Sequence, residues 1–565
     1  MRAESHLPSQ TSVNSNPPTG ALSRPSVFTH RAFTVILIAN SLSNIGIAMF
    51  DTSMSWLMTK LDPDPMMVSA VQVAVMLPMF LLTLPAGVLA DIFDARRLLI
   101  GAQAFVAAVA VAFALVVSLG LASPWALLAT TFVLGAGGAL AAPAWLLITP
   151  MLVPKEDLDS AIAINNSSFN VSRAIGPAIA GFVIVAISLN LPFWVYCAGN
   201  IAVLGALLWW RAPRRRLELL PAERLMSALA AGLRYARYNR DIDSTLMRAV
   251  AFFLFASAYW ALLPLIARNQ LNNGAETYGF LLAMLGVGSI AGSFLLTWLK
   301  PRLGPDGLAA LASLGTVGAL ALFAMARDPV TACMASFLAG ASWIVMLTTL
   351  FVSAQVALPE WVQGRGLAVY LTVYFGAMTA GSAIWGKIAS LEGVSTTLYV
   401  AAGGAVLGFL ATARRKLQTG AVLDLSPAMH WNRPTFARRV EDDEGPILVS
   451  IDYRTEPENR RPFLMALQEI GNERRRDGAY AWNAFEDTGD LGRVVEVFLI
   501  HSLLELKHLR ARVTQADRLA EQDAHQYLSE RPVIHFLLAP KRNREKHKKG
   551  KRLMLPPPPI KAAAE

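Results

Sequence analysis

The sequence predicts an all-α polytopic membrane protein of twelve transmembrane helices in two six-helix repeats, followed by a small α+β domain. Three observations carry this reading. Of the 565 residues, 54% are apolar and only 16% charged, against about 25% charged in an ordinary soluble protein. Twelve apolar runs reach the roughly 20 residues that cross a bilayer as helix. Five glycine or proline positions recur at one offset. The net charge of +10 lies largely between apolar runs and in a terminal stretch, "KRNREKHKKGKR". That stretch reads as a solvated tail, not as a nucleic-acid site. Cys197 and Cys333 both sit inside apolar runs, which argues against a disulfide framework or a cysteine metal site. No metal and no cofactor are expected.

In chain order, residues 1–30 are rich in Ser, Pro and Asn and lack a signal-peptide pattern. They are expected to form a disordered tail. The first bundle is expected over 31–210, with spans near 33–58, 67–90, 98–121, 124–148, 161–188 and 191–210. A linker over 211–246 carries "AERLMSALAAGLRYARYNR", an amphipathic helix expected to lie on the membrane face. The second bundle is expected over 247–415, with spans near 247–267, 278–299, 306–326, 330–353, 366–389 and 394–412. Connections on one side carry Arg96, Arg97, Lys155, Arg211, Lys300, Arg302, Arg365, Arg414 and Arg415. The other side offers little more than Lys60, Arg268 and Arg327. The positive-inside rule then places both termini and the linker in the cytoplasm.

A shift of 205 residues superposes Gly87 on Gly292, Gly135 on Gly340, Pro154 on Pro359, Gly176 on Gly381 and Gly181 on Gly386. Five coincidences at one offset favour two six-helix halves. The pattern resembles the parallel-repeat plan of the major facilitator superfamily. "GVLADIFDARRLL" follows the second span and resembles that superfamily's cytoplasmic loop signature, through Gly87, Asp91, Arg96 and Arg97. Ile92, Asp94 and Ala95 depart from the usual residues, and Leu296 replaces the aspartate in the second half. The resemblance implies that Gly87, Asp91, Arg96 and Arg97 gate the carrier. The plainer alternative is that Asp91 and Arg97 only orient the loop.

The fifth span holds Asn166, Asn170, Arg173 and Pro177 at intervals of four, three and four, hence on one helix face. A charge at bilayer depth is costly and turns to the bundle interior or to a watery cavity. The first span carries its own stripe, Asn40, Asn44 and Asp51. An Arg173–Asp51 pair with Asn44 bridging is within reach; the alternative leaves Asp51 at the outer interface and Arg173 on helix carbonyls. All eight histidines fall outside 31–429, so Asp51 is the coupling candidate by elimination if protons are exchanged. In the second half, Trp260, Trp343, Tyr370 and Tyr374 are the candidate substrate contacts, suited to an aromatic, anionic substrate beside an arginine. They read equally as lipid-facing filler. Gly176, Pro177 and Gly181 resemble the fifth-helix signature of drug and metabolite antiporters. Proline removes a backbone bond and glycines permit close approach, giving a bend point or simply tight packing.

"PKEDLDSAIAINNSSFNVSRAIGPAIAG" and "ALPEWVQGRGLAVYLTVYFGAMTAGSAIWG" are similar to paired signatures of bacterial carriers related to the enterobactin exporter, the transmembrane secretion effectors. The resemblance covers residues 30–415 and continues into the tail. It implies a non-enzymatic exporter of a siderophore, drug or similar amphipathic metabolite in the bacterial inner membrane, driven by the proton gradient.

After a linker over 416–444, residues 445–540 change character. "PILVSIDYR", "AYAWNAFED", "RVVEVFLIH" and "VIHFLLAP" read as strands. "RRPFLMALQEIGNERRR" reads as a helix with Phe463, Leu467 and Ile470 inward, and a second, charged helix is expected over 502–528. The order βαββαβ is ferredoxin-like and resembles the antibiotic-biosynthesis monooxygenase type. His501, His508, Trp482, Tyr480 and Asn483 are the candidate pocket, but Leu506 and Arg510 stand where related tails carry histidines, so no catalytic residue is assigned. The tail is expected to pair two carriers or to sense a ligand. Two alternatives stay open: a membrane-tethered cytoplasmic monooxygenase-like enzyme, and a transport-dead sensor. Residues 541–565, basic and Pro-rich, are expected to be disordered.

Overall fold

A computed structural model describes residues 27–211, 225–359, 361–418, 424–426, 428, 438 and 440–540, apart from the side chains of Val88, Ala90, Asp91, Ile92, Lys155 and residues 225–231. Of the tail expected to be disordered over 1–30, residues 1–26 lie outside the described residues, whereas Val27–Thr29 form a short 3-10 helix with Val27 buried and His30 bonds Asp157. The expected disordered end 541–565, most of the linker over 416–444 and the first part of the linker over 211–246 also lie outside the described residues. The chain divides into two compact units at residues 422/423.

The first unit is helical. In order come α1 (Arg31–Leu61), α2 (Pro65–Ile92), α3 (Ala95–Ser118), α4 (Pro124–Leu152), α5 (Leu158–Ala186) and α6 (Leu191–Trp209). Then follow the short linker helix α7 (Leu225–Tyr238), α8 (Arg240–Leu265), α9 (Ala275–Met325), α10 (Pro329–Val356), α11 (Gln363–Glu392) and α12 (Val394–Thr412). Eleven of these, all but α7, are long and apolar enough to cross a membrane. α9 has 51 residues, about 75 Å of helix against about 30 Å of hydrocarbon. Its backbone breaks at Gly304 (φ 62°, ψ −179°), between Pro301 and Pro305, where two helices meet across a kink. Only glycine adopts such a conformation cheaply.

Local chemistry sets the helix starts. Asp94 caps α3 by accepting from the Arg97 backbone N–H at 2.9 Å, which gives a structural reason for an aspartate in that loop. Asp328 caps α10 in the same way. Arg96 donates to the Leu207 carbonyl at 2.8 and 3.1 Å and to Leu208 at 3.2 Å. Its charge thus neutralises the carbonyl end of α6.

The 205-residue repeat recurs in the packing. The Pro154 carbonyl accepts from Asp157 N–H at 3.2 Å, and the Pro359 carbonyl from Val362 N–H at 3.1 Å. Gly176 lies against Ala48 and Ile45 of α1, and Gly381 against Ser257 and Leu254 of α8. Gly181 of α5 presses on Ala275 of α9, and Gly386 of α11 presses on Ser69 of α2. Each half thereby lends its fifth helix to the second helix of the other. Gly87 and Gly292 break the pattern: Gly292 meets Ala341 of α10, while Gly87 has open space.

The C-terminal turn of the linker helix packs on protein. Tyr235 is buried and stands edge-on to Trp361 at 5.8 Å, while Gly232 meets Arg365. Protein contacts on the turn before α11 hold α7 there.

The second unit contains β1 (Ile447–Arg454), α13 (Arg460–Asp477), β2 (Ala481–Glu486), β3 (Arg493–Ile500), α14 (Leu503–Arg512), α15 (Gln515–His525) and β4 (Val533–Leu538). The sheet is antiparallel in the order β2-β3-β1-β4. Phe463, Leu467 and Ile470 are buried as their spacing predicts. The single helix expected over 502–528 is two helices. Thr514 forms a capping box with Asp517 and starts α15 afresh, and such a box favours a new helix start over continuation.

Candidate functional site

α5 is gripped on two flanks. Toward α1, Ser172 donates to the Ser41 carbonyl at 3.4 Å and Ser41 bonds Ser168 at 2.5 Å. Asn40 donates to Asn165 at 3.3 Å, and His30 bonds Asp157 at 2.9 Å near the helix entry. Toward α9, a Cβ on Gly181 would stand 2.8 Å from the Ala275 carbonyl, and one on Gly286 would stand 2.8 Å from the Ala174 Cα. Between these flanks Asn166, Asn170 and Arg173 are exposed on one face, as their spacing predicts. Pro177 does not join them; it is buried beside Gly279, because the α9 backbone passes directly over it.

The seam between the halves closes at one end only. Gly181 with Ala275, Pro177 with Gly279, and Ala174 with Gly286 are in contact. At the same end Trp56 of α1 stacks on Tyr278 of α9 at 6.2 Å. Beyond Ala174 and Gly286 the helices part: Ala163, Ser167 and Asn170 on α5, and Ser293 and Thr297 on α9, are all exposed.

At the top of that opening the Arg173 guanidinium lies over the Trp260 ring, 5.6 Å from its centroid. Trp260 meets Trp343 at 5.3 Å, Trp343 meets Phe253 at 5.2 Å, and Phe253 meets Tyr374 at 4.6 Å. Tyr374 is within electrostatic reach of Arg173. Asp51 is exposed and within reach of Arg173, Tyr196 and Tyr278. The expected direct Arg173–Asp51 pair is absent, and Asn44 bonds neither of them, among the described residues. The Arg173 guanidinium carbon lies over the indole instead, a favourable cation–π placement. Tyr370 is fully buried beside Phe351 at 6.2 Å, so it backs the aromatic group without lining it. The sequence reading missed Phe253, Tyr196 and Tyr278. Phe253 lies seven residues before Trp260, on the same helix face, and that periodicity was the available signal.

Of the loop signature, Arg96 serves α6 and Gly87 meets nothing within 4 Å. The Asp91 side chain lies outside the described residues, and Arg97 is exposed. Of the tail residues named as a pocket, Tyr480 and His501 come together, but the five do not share one face. Trp482 is buried and donates to Glu496 at 2.7 Å, whereas Asn483 is exposed. Tyr480 and His501 stack on each other at 4.2 Å, and His508 lies 3.6 Å from Glu505 on α14. Alternation along β2 sends neighbouring side chains to opposite faces.

The tail's ionised core is structural. Glu496, with no exposed surface, accepts from Tyr453 at 2.7 Å and from Trp482, and pairs with Arg474 at 3.5 Å. Arg474 reaches on to Glu521 at 2.5 Å. Burial, then the nearby Asp517 carboxylate, pushes Glu473 up to about 9.

Residues 22–545 match the family model described as "Transmembrane secretion effector". The match takes in the tail, and the likeness of that tail to a monooxygenase is not supported. The enterobactin exporter EntS of Shigella boydii is 24% identical over 371 residues, 64% of this chain and 86% of that protein. Macrolide efflux protein A of Streptococcus pyogenes is 23% identical over 266 residues, 47% of this chain. The chain spans 65% of that relative's length. Among solved structures, the nucleoside transporter NupG matches with a TM-score of 0.52 at 14% identity, covering 68% of this chain and all of that one. A bacterial homologue of the lysosomal transporter Spinster, inward-facing and unoccupied, matches at 0.53 and 13%, covering 70% and 98%. The helical fold has eleven helices long and apolar enough to cross a membrane, and with the family match over residues 22–545 this chain belongs to the transmembrane secretion effector family of the major facilitator superfamily.

Proposed function

We propose that this chain is a proton-coupled exporter that moves a siderophore, drug or similar amphipathic molecule out of the cytoplasm by alternating access. The observation that carries the reading is the cross-half cluster of Asp51, Arg173, Trp260, Trp343 and Tyr374 at the head of an opening closed at its far end. Counting α9 as two spans across Gly304 gives twelve, six in each half. The bias of Lys and Arg supports an open end and both termini on the cytoplasmic side of a bacterial inner membrane. Asp51 is the coupling group; Asn40, Asn44, Asn166, Asn170 and Arg173 line the path. Gly176, Pro177 and Gly181 form the hinge-side seam, and Gly87, Asp91, Arg96 and Arg97 steady the loop that changes with state. The names of the relatives, an enterobactin exporter and a macrolide efflux protein, support efflux.

The ferredoxin-like tail pairs two carriers through the sheet face opposite its helices. That face presents Leu448, Val495, Val497, Leu499, Phe485 and Leu537 in register, with Phe485 and Leu537 more than half exposed.

The test is pH-gradient-driven uptake into inside-out vesicles of a panel of siderophores, macrolides and aromatic drugs, wild type against Asp51→Asn at matched expression. Gradient-dependent uptake that the variant loses is the expected result. Uptake retained by the variant removes Asp51 from the coupling path, and no uptake of any compound overturns efflux.

A further inference from the structure

The two charges at the head of the opening are held apart, and their separation bears on what the site selects. Asp51 and Arg173 are both exposed and lie within electrostatic reach of each other. Among the described residues neither enters an ion pair. Opposite charges at bilayer depth recover part of their desolvation cost by pairing directly. A helix pair that needed Arg173 only to neutralise Asp51 would let the two side chains meet. Here the guanidinium is drawn onto the Trp260 indole instead, at 5.6 Å. Its fork of donors remains free for a carboxylate or another oxyanion. Asp51, within electrostatic reach of the Tyr196 and Tyr278 phenols, offers an acceptor to an ammonium or a donor hydroxyl. Trp260 and Tyr374, both half-buried, supply the aromatic surface on the second half, backed by the buried rings of Trp343 and Phe253, with centroids 4.6 to 5.3 Å apart along the chain of rings.

Resting on the transport reading above, we propose that this site selects dipolar amphiphiles: an aromatic or apolar body carrying an anionic group for Arg173 and a cationic group for Asp51. A purely cationic ligand leaves Arg173 desolvated and unmatched, and a purely anionic one does the same to Asp51. Burying a charge without a partner is penalised, so discrimination acts from both ends of the ligand.

The test uses the purified full-length protein in lipid nanodiscs, in equilibrium dialysis against three probes with one ring system: 2-naphthylalanine, 2-naphthylethylamine and 2-naphthylpropionate. Empty nanodiscs give the background. The wild type is expected to bind the zwitterion at least about tenfold more tightly than either single charge, a difference of about 1.4 kcal/mol. Asp51→Asn removes the preference for the zwitterion over the propionate, whose own binding tightens as the unmatched charge is lost. Arg173→Gln does the same for the zwitterion and the amine. Each variant keeps one ligand, so one that has lost its fold reveals itself by binding none, and the other variant then decides. Equal binding of either single-charge probe, or no binding of any of the three, overturns the dipolar selection. Efflux itself stands or falls separately: export of a singly charged drug in the vesicle panel would sustain transport while the dipolar selection fell.

Discussion

Arg173 of α5 lies over the ring of Trp260 of α8, 5.6 Å from its centroid, so a charge of the first half rests on an aromatic face of the second. With Arg173 exposed, a contact of this kind is worth about 0.5–1 kcal/mol. Trp260→Leu is therefore expected to lower transport about two- to fivefold without loss of folded protein. Arg173→Lys should recover only part of that activity, since an ammonium lacks the planar face that stacks. Initial rates in vesicles at matched expression check both.

The closed end of the seam depends on the absence of a side chain at Gly181, where a Cβ would sit 2.8 Å from the Ala275 carbonyl. Gly181→Leu should wedge α5 from α9 and open that end. In a background free of Cys197 and Cys333, a cysteine at Ala275 would then react with an impermeant maleimide at least about tenfold faster from the extracytoplasmic side. Gly205→Leu, which points into open space, serves as the control and should change nothing.

Glu473 gives the tail a pH dependence. Its folded pKa, pushed up to about 9, stands above the ordinary 4.5. Below about 4.5 the carboxyl is protonated whether the chain is folded or not. Between there and about 9 the unfolded chain ionises while the folded one holds its proton, so stability falls as pH rises. The slope is at most about 1.4 kcal/mol per pH unit. Glu473→Gln should flatten it and raise stability at pH 9, as followed by the tail's thermal unfolding transition.

Glu496 is the keystone of the tail's buried polar network, with Tyr453, Trp482 and Arg474 all turned to it. Glu496→Ala orphans two donors and half of a buried ion pair, at a cost of about 3–5 kcal/mol. Hydrogen exchange in β1 and β3 should accelerate accordingly, while transport helices keep their protection.

What was legible in the sequence follows from how each feature is encoded. The helices are written in composition and length. The repeat is written in glycines and prolines whose contacts recur, as at Gly181 and Gly386. The polar face of Asn166, Asn170 and Arg173 is written in helical periodicity. The Gly304 kink was legible as a gap between two apolar runs, and the backbone breaks there into two helices. The sequence did not reveal that Arg173 turns to Trp260 instead of pairing with Asp51, because residues 87 positions apart meet only through packing of the two halves. Nor did it reveal the split at Thr514: the charged pattern runs through it, and only the cap marks the break. The tail's expected pocket failed because one strand sends Trp482 inward and Asn483 outward.

The central claim is that the polar face of α5 is reached from one side of the membrane at a time. A single cysteine at Asn170, with Cys197 and Cys333 replaced, tests it most directly. In the resting protein an impermeant maleimide should label it from the cytoplasmic side and not from the other. Under an imposed proton gradient with a transported compound present, labelling from the extracytoplasmic side should appear, and Asp51→Asn should suppress that appearance. Labelling from both sides at rest, or from the cytoplasmic side alone throughout active transport, would contradict the account.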